Sequence, residues 1–139
     1  MKTDKSIRNI AIAAIKRSAM DMDSWNHSRI ANENDIDLIK KFELSEGELP
    51  VFEIKSDLAH TLISTRQLLE RKNETIQRLN FDFLDNVAYG NFKGRPNKPE
   101  LSFFRVTDIR GDKLDFQLET GKASMGLIYS VSTIRRLRS

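Results

Sequence analysis

The chain has 139 residues, 39% hydrophobic and 31% charged, with a formal net charge of +3 and no cysteine. That length fits one domain that buries roughly two-thirds of the surface its unfolded chain would expose. Without cysteine, disulfides and thiolate chemistry are excluded, which suits a reducing compartment, so a cytoplasmic location is expected. The longest apolar run, IAIAAI at residues 10–15, is too short to span a bilayer, and no transmembrane segment is expected. Lys16 and Arg17 follow it where a secretory signal would need small residues.

In the first segment Ile7, Ile10, Ala11, Ala14 and Ile15 recur at helical spacing, with Thr3 or Asp4 able to cap the first turn. Ile12 falls off that stripe, which makes it a candidate for a second contact, either on the chain itself or in a homodimer formed through this helix. MDMDSWNHSRIANEN breaks the period, after which Asn34 or Asp35 caps a short helix through Ile36, Ile39 and Phe42. Residues 1–46 contain neither glycine nor proline, whereas all six glycines and all three prolines lie from Gly47 onward. Such punctuation marks turns, so residues 1–46 read as a helical extension and 47–139 as a turn-rich β unit.

From Gly47 the period changes to two. VFEIK, LAHTLIS, RQLLERK and ETIQRL read as successive strands, followed by a short strand at 87–92 and a long one at LSFFRVTDIR. At the end Leu114, Phe116 and Leu118 alternate with Asp115, Gln117 and Glu119, the pattern of a strand with one face in water. Thr120 is then placed to cap a final helix whose Leu127, Val131 and Ile134 share a face, with Tyr129 and Arg136 opposite. The predicted class is α+β. Short antiparallel strands avoid long exposed edges by closing into a small β-barrel or pairing as two packed sheets, here capped by the C-terminal helix.

The stretches TLISTRQLL, IQRLNFDFLDNVAYG and LSFFRVTDIRGDKLDFQLETGKASMGLIYSVSTI, within residues 48–137, resemble a bacterial pleckstrin-homology-like (PH-like) domain. Thr65, Arg66, Leu68 and Leu69 match the family's corner, with Gln67 inserted, and Leu79, Leu84 and Val87 match its closure at wider spacing. The resemblance implies a non-enzymatic scaffold that binds peptides, proteins or anionic lipid headgroups.

No catalytic pattern competes with that reading, and no cofactor is expected. His27 and His60 lie in different elements without ligand spacing, and Asp21, Asp23 and His27 lack the pattern of a calcium loop. ETGKAS misses a phosphate loop, because Phe116 and Ala123 stand where glycine and Ser/Thr are required. Charge offers an alternative partner. Residues 93–139 hold ten Lys/Arg against five Asp/Glu, and Lys93, Arg95 and Lys98 cluster in the loop FKGRPNK. They are the candidate anion site for acidic lipid or single-stranded nucleic acid. Phe103 and Phe104 are expected in the core. The leading expectation is a binding module for a protein or peptide, with Ile12, Tyr129 and Arg136 as surface candidates.

Overall fold

Thr3 starts the first helix by accepting a hydrogen bond from the Ser6 amide at 3.1 Å, and α1 then runs from Asp4 to Ser18. The computed structural model describes residues 2–19, 21–89 and 100–139. Ile7, Ala11, Ala14 and Ile15 of the predicted stripe are buried, and Ile12 packs partly against the same core. After a single 3-10 turn at Met22–Ser24 comes a strand that the sequence reading missed, β1 at Ser28–Ile30. Asp35 caps α2, Ile36–Lys41, by accepting from the Leu38 amide at 3.0 Å.

A meander follows: β2 (Pro50–Lys55), β3 (His60–Ser64), β4 (Gln67–Lys72) and β5 (Thr75–Asn80). Together with β1 they form a five-stranded antiparallel sheet in chain order. A second antiparallel sheet holds β6 (Leu84–Ala88), β7 (Leu101–Asp108) and β8 (Lys113–Glu119), and α3 (Ala123–Arg138) closes the chain. Of the two architectures expected, this is the pair of sheets. They do not close into a barrel.

The junction between the sheets shows why. Where a barrel would continue its backbone ladder, polar side chains of β8 and the first sheet make the bonds instead. Glu70 accepts from the Gln117 amide at 2.7 Å, and Gln77 donates to the Asp115 carbonyl at 2.6 Å. Gln117 donates to the carbonyls of Ile54 and Ala59 at 2.9 and 2.8 Å. Glu119 collects the amides of Asn26, His27 and Ser28 at 2.8 to 2.9 Å. The expected wet face of β8 is therefore corrected: Gln117 and Glu119 are only 3% and 4% exposed, and Asp115 alone faces solvent. Buried polar groups persist only when paired, and these are.

The apolar core lies between the first sheet, α1, α3 and the second sheet, and includes Ile7, Ile15, Phe52, Ile63, Leu68, Phe104, Phe116, Leu127, Val131 and Ile134. The predicted stripe of α3 is thus the buried one. Thr120 does not cap that helix; its hydroxyl donates to the Glu100 carbonyl at 3.1 Å, and Lys122 precedes the first turn. Phe104 stacks on Phe116 with centroids 5.7 Å apart, but Phe103 points outward and is 56% exposed, contrary to expectation.

Residues 1–46 differ in kind from a purely helical extension, since they contribute β1 to the sheet and α1 to the core. Asp4 in the first turn of α1 binds the Thr65–Arg66 corner, accepting from the Thr65 hydroxyl at 2.6 Å and pairing with Arg66 at 2.8 Å. Arg8 adds bonds to the carbonyls of Pro50 and Ala31 at 2.8 and 2.5 Å. The corner legible in the sequence is the anchor point of the N-terminal helix.

A charged cleft between α2 and the five-stranded sheet as candidate functional site

Strand alternation divides the five-stranded sheet into two faces. Phe52, Ile63 and Leu68 look toward the core. The opposite face carries two cross-strand rows: Arg29, Glu53, Leu62 and Leu69 in one, and Lys55, His60 and Arg71 in the other. Helix α2 covers part of that face, where Leu38 and Phe42 pack with Ala31, Leu62 and Leu69 in a small apolar cluster. Beside it opens a cleft of about 520 Å³, with His27, Arg29, Lys41, Glu53 and His60 among its lining residues.

A hydrogen-bonded chain runs along the cleft floor. His60 Nε2 lies 2.9 Å from Glu53 Oε1, and Lys41 Nζ lies 2.7 Å from His60 Nδ1. An ammonium can only donate, so Nδ1 accepts and Nε2 carries the proton given to Glu53. Arg29 Nε sits 2.9 Å from the other Glu53 oxygen, an ionic contact without aligned hydrogen-bond geometry, and reaches Asp35 at 3.7 Å. The Phe42 ring meets the His60 ring edge-on at 5.0 Å. Glu53 is 2% exposed and His60 7%, so both are locked by their surroundings.

Electrostatics follow from the burial. Desolvation pushes the Glu53 carboxyl up, but the hydrogen bond from His60 and the charge of the Arg29 guanidinium beside it outweigh it, holding the carboxyl below its ordinary range. Lys41 moves the other way for a cation. Burial lowers its ammonium, Lys55 and Arg71 lower it further, and Glu53 opposes them. His27 stands at the rim, with Nδ1 3.2 Å from the Lys55 carbonyl and Nε2 3.1 Å from Glu100.

The residues singled out from sequence are placed elsewhere. Lys93, Arg95 and Lys98 lie outside the described residues. Ile12 is engaged with the chain's own core, leaving it half-buried. Arg136 lines a cavity of about 380 Å³ with Tyr89, Val87 and Arg135, while Tyr129 is half-buried on α3 and does not line it. Asp21 pairs with Lys122. Among the described residues no group of His, Cys, Asp and Glu converges as a metal set, and no helix is long and apolar enough to cross a membrane.

Sequence reading missed the cleft, and specifically that His27 and His60 line one wall system although they are far apart in the chain. One signal was available. His60 and Leu62 share a strand face by parity, as do Leu69 and Arg71, so a face carrying the charges also had to be partly covered.

No family model matches the chain, and no curated protein matches it. Among solved structures it is similar to the C-terminal domain of an unknown protein from Leishmania infantum, at 9% identity and a TM-score of 0.44, over 70% of this chain and 94% of that one.

Proposed function

We propose that the chain is a non-enzymatic binding module of PH-like type, acting in the cytoplasm, and that the cleft between α2 and the sheet takes an acidic segment of a protein or peptide partner. One observation carries the reading. The face that holds Leu62 and Leu69 could have continued as an apolar surface under α2, yet it carries the chain Lys41–His60–Glu53–Arg29 instead. Burying a carboxylate such as Glu53 and an imidazole such as His60 costs stability relative to apolar side chains of similar size, so their place is explained better by recognition than by folding. The groups are also pre-organised on a rigid sheet backed by the core, which lowers the entropy lost on binding. A partner of opposite charge fits the exposed Lys55 at the rim, with Arg29, exposed but already in contact with Glu53 and Asp35, beside it.

Acidic lipid or single-stranded nucleic acid would draw on Lys93, Arg95 and Lys98 and not on this cleft. A library of displayed 12-residue peptides selected on the immobilised full chain tests the reading. Enrichment of Asp/Glu-rich peptides is expected, with amide shifts confined to residues around 27–29, 38–41, 53–55 and 60. Selected peptides that shift other residues, or a selection that enriches nothing, would overturn it.

A further inference from the structure

Next to the cleft, across Lys41 and His60, lies a smaller cavity of about 180 Å³ lined by those two residues together with Lys55, Arg71 and the hairpin turn at Ser56–Ala59. Strand register places Lys55, His60 and Arg71 directly side by side across β2, β3 and β4. Directly opposed side chains have Cβ atoms roughly 5 Å apart, so the two cations flank the imidazole closely. Lys41 comes down onto the same ring from α2. None of Lys41, Lys55 and Arg71 is in an ion pair among the described residues, although eight Lys/Arg–carboxylate pairs join other described residues.

Arg71 is held in place by neutral acceptors. Its guanidinium donates to the carbonyls of Asn73 and Lys41, each at 3.2 Å, which fixes the fork without neutralising it. Two carboxylates face the region. Glu53 is already engaged by His60 and Arg29, and Asp57 sits exposed in the hairpin turn and lines the cavity. Three cations gathered on one imidazole, none of them held in an ion pair with the two carboxylates nearby, repel one another, and this repulsion is relieved by a bound anion.

We propose that Lys41, Lys55 and Arg71 form a subsite for a phosphate monoester, carried on the acidic peptide segment that the cleft receives. The dianion matches the excess of positive charge, and its three terminal oxygens can accept from two ammonium groups and a guanidinium at once. A single carboxylate has fewer acceptors and half the charge. The proposal rests on the reading of the cleft as a peptide surface, but the two fail separately.

The test is a titration of the full chain, followed by amide chemical shifts at constant ionic strength held with chloride. The probes are inorganic phosphate, an acidic peptide containing phosphoserine, and the same peptide with serine. Phosphate is expected to shift the amides of Lys41, His60 and Arg71, and the phosphopeptide to bind at least tenfold more tightly than its serine counterpart, the scale of one charge-assisted hydrogen bond. Lys55→Ala, whose side chain is exposed, is expected to weaken both phosphate probes about tenfold and to weaken the serine peptide, which meets the same cation at the rim with fewer acceptors and less charge, by clearly less. Arg71→Lys keeps the charge but loses the fork, and falls between. Phosphate that leaves those amides unmoved, or binds the Lys55→Ala variant as well as the wild type, overturns the subsite. If the serine peptide still binds in that case, the cleft reading stands alone. Phosphate binding with neither peptide bound leaves the subsite and removes the peptide reading.

Discussion

The two faces of the five-stranded sheet are built from the same strands and yet do different work. The face toward α1 and α3 is closed by large apolar side chains, Phe52, Ile54, Ile63 and Leu68, with Thr61 and Glu70 satisfying each other at 2.7 Å. The face toward α2 has only a small apolar cluster, and the rest of it is charge. A long helix can bury a stripe along the whole sheet, whereas α2 has six residues and covers only its own footprint. The uncovered remainder stays polar and open, and alternation along each strand lets one segment serve both needs. Stability is concentrated on one side and ligand chemistry on the other.

The largest effect that tests this division comes from removing α1. Its Ile7, Ala11 and Ile15 are almost fully buried against the core, and Asp4 and Arg8 anchor it to the corner and to β2. Burying an isoleucine is worth about 1.5–3 kcal/mol, so deleting residues 1–19 is expected to remove roughly 5 kcal/mol. That is comparable to the whole stability of a small domain. The truncated chain should lose its cooperative thermal transition and become protease-sensitive. A truncation that melts like the full chain would place α1 outside the core and leave the comparison without its stable side.

A smaller but sharper effect concerns Gly126, in the first turn of α3. By helix propensity alone, alanine there should stabilise, by at most about 1 kcal/mol. In the fold an added Cβ would lie 2.7 Å from Phe52 Cε2 and 2.9 Å from Trp25 Cη2. Phe52 is fully buried and meets Trp25 edge-on with centroids 5.8 Å apart, so its ring has nowhere to retreat. Gly126→Ala is expected to destabilise by about 1–3 kcal/mol in urea melts, the usual cost of overpacking. A stabilised variant would show that α3 and β2 are not in close contact.

How much of this was legible in the sequence also divides along the two faces. The stripes of α1 and α3 and the strand face shared by Phe52 and Ile54 were readable, because apolar periodicity reports burial directly. The polar face was not. Glu53, Lys55, His60 and Arg71 look like the solvent side of ordinary strands, and nothing local says that α2 will lie over them. The same limit explains Gln117 and Glu119, whose alternation suggested water when the partner was a second sheet. β1 was invisible for a related reason. SRI is too short to carry a period, and it is a strand because β2 offers its edge and Glu119 fixes the amides before it.

The finest test is on the polar face, at Glu53. Its carboxyl is held below the ordinary range, with burial opposing and the contacts from His60 and Arg29 prevailing. A carboxyl whose pKa is depressed by folding contributes stability that is fully present above its unfolded value, near pH ~4.3. That contribution fades as the pH falls through the lower folded value. Glu53→Gln keeps an oxygen that can accept from His60 but gives up the charge facing Arg29. The variant is expected to be about 1–2 kcal/mol less stable than the wild type near neutral pH, the worth of a charge-assisted bond. Below the folded pKa the wild-type side chain is neutral too, so the gap should close. Asp4 is also depressed, despite its burial, by the Arg66 and Thr65 contacts, but it is common to both proteins and cancels in the difference. Urea melts of both chains across the acid range read the gap directly. A gap that persists unchanged into acid would mean that the charge on Glu53 does nothing for the fold, and that the His60 bond alone holds that face in place.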